Sequence, residues 1–407
     1  MDFREFDTHY LSRLNSQQRT AVLTAEGPVL LLATPGSGKT TVLVTRLGYM
    51  VLCQGIDPRS ILTVTYTRAA ARDMKARFAS LFGEDLAGRL QFRTINGISA
   101  KLISHVAARY GRDPFPLLGD EGERSQILRR LYQTLTGEYP EDSTVRDLGT
   151  SITFIKNMML TDAEIENRKW PVSRLPELYR TYQAELRSRR VMDYDDQMVY
   201  ALKLLQRFPD ILDDVQDHYR YLCVDEAQDT SKVQHEMIRL LSGKYHNLFM
   251  VGDEDQSIYA FRAAFPDALM SFADDHPGAK VLLIEENYRS TPEIVSAANR
   301  FVEKNRFRHP KVMRAVRESG SPVRILTVET RRAQYEYIFS HASEWGRETA
   351  ILFRNNDSAL PLIDFLEQAG LPYRCRNYED SFFGNRVVCD VLDTIRFSQQ
   401  PDRKSVV

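Results

Sequence analysis

Several absences narrow this 407-residue chain before any motif is considered. It has no surplus of positive charge: 54 Lys and Arg stand against 55 Asp and Glu, a formal net charge of −1. That excludes a globally basic nucleic-acid binder, so any groove for a polyanion must be a local concentration of Lys and Arg. Its four cysteines, Cys53, Cys223, Cys375 and Cys389, are scattered without the close pairing that holds zinc, which fits a reducing cytoplasm. No apolar run approaches membrane-spanning length, and Met1-Asp2-Phe3-Arg4-Glu5 is too polar for a secretory signal; a soluble, cytoplasmic protein with no membrane partner is expected. There is no internal repeat and no low-complexity tract. With 43% hydrophobic residues the chain can bury several cores, and its length suggests about two to four domains.

The most informative segment is Ala33-Thr34-Pro35-Gly36-Ser37-Gly38-Lys39-Thr40, with Ala33 in place of the usual first glycine. It follows the apolar run Val29-Leu30-Leu31-Leu32 and precedes the helix-like Thr41-Val42-Leu43-Val44, giving a strand, a phosphate loop and a helix in series. Glycines let backbone N–H groups close on phosphate oxygens, and the helix N-terminus adds a positive dipole. Lys39 is predicted to reach the β- and γ-phosphates of ATP, and the Thr40 hydroxyl to bind Mg²⁺. Far downstream, Tyr221-Leu222-Cys223-Val224 reads as a buried strand ending in Asp225-Glu226-Ala227-Gln228-Asp229. There Asp225 can hold Mg²⁺ through water, and Glu226 can orient and deprotonate the attacking water. A third strand, Leu248-Phe249-Met250-Val251, runs into Gly252-Asp253-Glu254-Asp255-Gln256, where Gln256 is the predicted γ-phosphate sensor.

Together these residues resemble a superfamily 1A DNA helicase of the UvrD/Rep/PcrA type. Leu14-Asn15-Ser16-Gln17-Gln18-Arg19 resembles the adenine-reading Q motif, with Gln18 at the base-pairing amide. Thr63 to Ala71 resembles motif Ia, Arg93 to Ile98 motif Ib, and Asn287-Tyr288-Arg289-Ser290-Thr291 motif IV. Asp193-Tyr194-Asp195-Asp196 matches the acidic stretch before motif II, while Ala350 to Arg354 and Phe382-Phe383-Gly384 match the short motifs after motif IV. The resemblance implies a RecA-like parallel sheet (1A, residues 1–108 and 191–278), an inserted helical subdomain (1B, 109–190) and a second, incomplete RecA-like α/β domain (2A, 279–407). The second domain is expected to open with the strand Lys280 to Ile284, followed by a helix from Thr291 to Lys304 and strands near 323–326 and 350–353. It also implies adenine stacking by Tyr288 and a γ-phosphate contact from Arg289, with Pro35, Gly36, Ser37, Gly38 and Thr41 lining the nucleotide. Single-stranded DNA and its junctions with duplex would be gripped by Tyr66, Tyr259 and Phe261 through stacking, with Arg68, Arg262 and Asn96 on phosphates.

Three departures from the family pattern stand out. Asn96 replaces a histidine, and Thr41 replaces an arginine that would oppose Tyr288 across the adenine, so weaker nucleotide affinity is expected. No segment resembles motif V or VI, and the chain is expected to be the N-terminal portion of a helicase, with poor turnover and no unwinding by itself. The leading expectation is an ATP-dependent motor moving 3′ to 5′ on single strands in repair or replication restart. A non-catalytic, nucleotide-dependent DNA-binding module is the alternative.

Overall fold

The computed structural model describes residues 1–346, 349–355, 358–375 and 386–399. Two compact units are present, Met1–Val323 and Arg324–Val407.

The first unit is built on six parallel strands: β1 (Val29–Ala33), β2 (Ile61–Thr65), β3 (Gln91–Thr94), β4 (Tyr221–Val224), β5 (Leu248–Gly252) and β6 (Lys280–Ile284). Their spatial order is β3-β2-β4-β5-β1-β6, so β1 and β4, which lead into the two halves of the expected nucleotide site, sit on either side of β5. The four inner strands, β2, β4, β5 and β1, are short and largely apolar because both their faces are covered by helices. Side-chain alternation splits them between two cores. Leu30, Leu32, Leu62, Val64, Leu222, Val224, Leu248 and Met250 face one side, with Met198, Ala201 and Leu202 of the helix Tyr194–Arg207. Val29, Leu31, Ile61, Cys223, Phe249 and Val251 face the other, with Val42, Leu43 and Leu47 of the helix Lys39–Leu52. The chain is an α/β protein with the parallel sheet of RecA-like helicase domains.

Between β3 and β4 lies a helical insert comprising Glu121–Thr136, Asp142–Asn157, Asp162–Asn167 and Leu175–Arg189. It has its own core around Leu128, Leu148, Ile152, Leu178 and Tyr182. Its two ends are fastened together where the Leu118 N–H donates to the Met192 carbonyl (2.8 Å) and the Met192 N–H to that of Pro116 (3.1 Å).

The structure corrects the expected start of the second α/β unit. Lys280–Ile284 pairs along its whole length with β1 and is the edge strand of the first sheet. The helix after it spans Pro292–Val302. The strands expected near 323–326 and 350–353 do not form; Ile325 and Leu352 are each 93% exposed, and an unpaired β-branched run has no ladder to join. In the second unit, the helices Arg331–Ser340 and Leu360–Gln368 pack through Tyr335, Leu362 and Leu366. Phe382-Phe383-Gly384 lies outside the described residues, as does the Arg262 side chain.

Candidate nucleotide and nucleic-acid sites

The phosphate loop turns at two glycines with left-handed backbone, Gly36 (φ 70°) and Gly38 (φ 82°), a conformation costly for any side chain. Space is also limiting: a Cβ at Gly36 would meet the Cβ of Arg289 at 2.7 Å, and one at Gly38 would lie 3.1 Å from the Gln18 amide nitrogen. The loop is tied down at its start, where the Thr34 N–H donates to the Ile284 carbonyl (3.0 Å), which explains why β6 must lie beside β1. The buried Ser37 hydroxyl donates to the Thr34 carbonyl at 2.6 Å. Lys39 then opens the following helix, with Gly38 as its N-cap, leaving the first-turn N–H groups directed into the loop. Thr40 lies in that first turn, and Thr41 is exposed beside it.

Lys39 and Glu226 meet across the sheet. The ammonium lies 3.1 Å from Glu226 Oε2, which also accepts a 2.7 Å hydrogen bond from the Gln228 amide. Sequence reasoning missed Gln228; its other amide end accepts from the Asp253 N–H (3.0 Å) and so joins the loop after β4 to the loop after β5. Its place two residues from Glu226 is the available signal, but the partner in the loop after β5 cannot be read from spacing. On that second loop Gln256 donates to Asp253 Oδ2 at 2.6 Å. Asp225 is buried, and its Oδ1 has no hydrogen-bond partner among the described residues. Burial, then the neighbouring Glu226 charge, pushes its carboxyl up to about 6 against the pull of Lys39. An orphaned, desolvated carboxylate oxygen beside a phosphate loop suits a hard divalent cation, so Asp225 and Thr40 fit the Mg²⁺ that the family's chemistry implies.

Motif IV packs directly on this loop. Asn287 donates from Nδ2 to the Pro35 carbonyl (2.6 Å) and accepts from the Arg289 and Ser290 N–H groups (2.9 and 2.7 Å), while the Tyr288 N–H donates to the Gly36 carbonyl (3.0 Å). Arg289 is exposed. The Tyr288 hydroxyl donates to Glu286 (2.5 Å) and accepts from Asn15 (3.0 Å), leaving its ring 42% exposed beside the Q-motif helix Ser16–Leu23. Gln18 caps that helix: its amide oxygen accepts from the Asn15 N–H (3.0 Å) and its nitrogen donates to the Ser37 carbonyl (2.9 Å). Both ends of the amide expected to pair with adenine are thus engaged within the protein, binding the helix to the phosphate loop.

Four of the six residues expected to hold DNA line a cavity of about 800 Å³ between the ends of β2 and β3 and the helical insert. These are Tyr66, Arg68, Asn96 and Phe261. The Tyr66 and Tyr259 rings stack (centroids 6.2 Å apart, 18° between planes), and Phe261, 58% exposed, lies 5.9 Å from Tyr259. Arg68 and Asn96 sit in the first turns of the helices Arg68–Phe82 and Ile95–Arg109, capped by Thr67 and Thr94, where backbone N–H groups favour anions. Asn96 Oδ1 is buried without a hydrogen-bond partner among the described residues. Arg124, from the insert, adds a further cation to the wall.

The acidic stretch before motif II has a structural role. Lys156, 2% exposed in its side chain, pairs with Asp193 (2.7 Å) and Asp196 (2.9 Å), and Asp195 accepts from Thr153 (2.8 Å) and Asn157 (2.7 Å). Asn157 in turn accepts from the Ser231 hydroxyl (2.8 Å), anchoring the insert to the chain just past Asp229.

Two family models match the chain: the UvrD/REP helicase N-terminal domain over residues 14–277, and the UvrD-like helicase C-terminal domain over 282–406. The chain is similar to the ATP-dependent DNA helicase PcrA of Staphylococcus epidermidis (strain ATCC 35984), 31% identical over 394 residues, covering 95% of this chain and 54% of that protein. Its similarity to PcrA of Staphylococcus aureus (strain Mu50) is 30% over the same coverage. The chain therefore spans about half the length of the curated relatives it matches. With its phosphate loop, its acidic strand end and nearly all of its length matched in order, this chain belongs to the UvrD/REP helicase family.

Proposed function

We propose that this chain binds Mg-ATP at the C-terminal edge of its sheet and couples hydrolysis to movement along single-stranded DNA, 3′ to 5′, as part of a helicase serving DNA repair or replication restart. The observation that carries this is the shared strand-end network. Lys39, Glu226, Gln228 and Asp253 join the phosphate loop to the loop after β5, and that same loop continues through Tyr259, stacked on Tyr66, into Phe261 at the ring-lined cavity.

In this reading Lys39 leaves Glu226 for the β- and γ-phosphates, and the released carboxylate orients a water and takes its proton. The Gly36 and Gly38 turn and the helix N-terminus hold phosphate oxygens, Tyr288 offers its ring to the adenine, and Gln256 and Arg289 contact the γ-phosphate. Thr40 and Asp225 would hold Mg²⁺, which supplies charge neutralisation on the triphosphate. Bases stack on Tyr66, Tyr259 and Phe261, while Arg68, Arg262 and Asn96 hold the backbone. The test is ATP hydrolysis measured with and without a single-stranded oligonucleotide. The proposal expects stimulation by the strand that disappears in Lys39→Ala; hydrolysis surviving in Lys39→Ala, or indifferent to DNA, would refute it.

A further inference from the structure

Lys311 lies in none of the motifs described above, yet it is among the most buried charges in the molecule. Its side chain is 1% exposed, and its ammonium sits among three consecutive carboxylates of the loop after β5: Asp253 (3.0 Å), Glu254 (2.6 Å) and Asp255 (3.1 Å). Neighbouring residues repeat the attachment. Arg308 grips Asp255 through Nε (3.0 Å) and Nη2 (2.8 Å), Asn305 donates to Asp255 (3.2 Å), and the His309 N–H donates to Glu254 (2.7 Å).

The same segment continues to motif IV. The Val312 N–H donates to Glu285 Oε1 (3.0 Å), the Arg314 and Val316 N–H groups donate to the Glu285 and Asn287 carbonyls (2.8 and 3.0 Å), and Arg317 Nη1 donates to the Arg289 carbonyl (2.8 Å). The short strands Glu286–Asn287 and Arg314–Ala315 pair in parallel within this stretch. Residues 305–317 are therefore a strap with one end on the loop of Gln256 and the other on the loop of Arg289. Packed apolar side chains generally join two segments at lower desolvation cost than buried charges do. A cation matched to three carboxylates contributes something they lack: a fixed register between the parts it joins.

We propose that Lys311 is a positioning residue that sets the Gln256 loop against the Arg289 loop, so that both γ-phosphate contacts stand at one separation before nucleotide arrives. This rests on the nucleotide site proposed above and adds a residue that acts through Gln256 and Arg289 without touching substrate. It makes a specific demand: loosening the latch should affect recognition of the third phosphate alone, because the first two are held by the phosphate loop.

The experiment compares affinities of fluorescent ADP and a fluorescent non-hydrolysable ATP analogue, with Mg²⁺, for the parent chain, Lys311→Met and Lys311→Met/Glu254→Gln. The double variant removes one charge of each sign and decides the question if Lys311→Met, which leaves Asp253 and Glu254 without their ammonium partner while Asp255 keeps Arg308, does not fold. The expected result is a preference for triphosphate over diphosphate reduced by about tenfold, with diphosphate affinity held within about twofold of the parent. A merely structural role would weaken both nucleotides together or neither; either pattern overturns the inference. A parent that does not discriminate between the two nucleotides refutes the proposed function and the inference with it, whereas a folded variant that discriminates like its parent refutes the inference alone.

Discussion

Glu226→Gln separates binding from chemistry at the nucleotide site. Glu226 holds the Lys39 ammonium at 3.1 Å, so an incoming triphosphate must compete for it. The pair is only partly sheltered, with side-chain exposures of 12% for Lys39 and 40% for Glu226. An ion pair so open to solvent is worth about 0–1 kcal/mol, so freeing Lys39 should tighten triphosphate binding by at most about fivefold. Loss of the group that takes the proton from water should meanwhile slow hydrolysis by about 10²–10⁴. Lys39→Ala should do the reverse at the binding step: losing a hydrogen bond between charged groups costs about 1.5–3 kcal/mol, or roughly 10- to 150-fold in affinity. Titration with a fluorescent non-hydrolysable ATP analogue, alongside single-turnover hydrolysis, distinguishes the two variants. If Glu226→Gln binds as poorly as Lys39→Ala, the Glu226 carboxylate is a structural support of the site and its assignment to water activation is wrong.

Three further perturbations and a salt titration probe other parts of the molecule. Phe261→Ala should weaken binding of a single-stranded oligonucleotide by about 1–3 kcal/mol if a base stacks on the ring; unchanged affinity in a folded variant would make Phe261 a packing residue. Oligonucleotide affinity should also fall as salt rises despite the near-neutral net charge, through release of counterions, and a flat salt response would point to another ligand. Lys156→Met leaves Asp193 and Asp196 buried without their cation and should cost about 3–5 kcal/mol in chemical denaturation, a loss under about 1 kcal/mol being contrary to this. Burial lowers the His235 imidazole from 6.5 to about 4, so the folded state rejects a proton that the unfolded chain accepts. Stability is then full above about pH 6.5 and falls as pH drops toward 4, and the parent should lose about 2 kcal/mol more than His235→Gln between pH 7 and 5. Equal losses would exclude that linkage.

The site is legible in the sequence wherever its signals are local. Pro35-Gly36-Ser37-Gly38-Lys39-Thr40 needs left-handed glycines and a helix start within a few residues, and both stand at those positions. Asp225-Glu226 follows an apolar strand, which locates an acidic pair at a sheet edge. Groups that act over long sequence distances are not legible. Gln228 meets Asp253, and Lys311 meets the three carboxylates after β5, through contacts that no spacing rule anticipates. By its place along the chain Lys280–Ile284 reads as the start of a new domain, but a parallel strand joins whichever edge it can pair with, and β1 offers one. The run Ala350 to Phe353 has strand-like composition without a ladder to complete it. Gln18 shows a further limit: its residue type fits a base reader, and the same amide also closes a capping box with Asn15 and tethers the phosphate loop.

The central claim is that the nucleotide site and the ring-lined cavity share one strand-end network, so occupancy of one must be felt at the other. The most direct measurement is the dissociation constant of a fluorescent single-stranded oligonucleotide with and without a saturating non-hydrolysable ATP analogue and Mg²⁺. Linkage through Lys39, Glu226, Gln228 and Asp253 predicts that nucleotide changes DNA affinity by about fivefold or more, and that DNA changes nucleotide affinity by the same factor. Tight binding of both ligands with identical constants, alone and together, would contradict it.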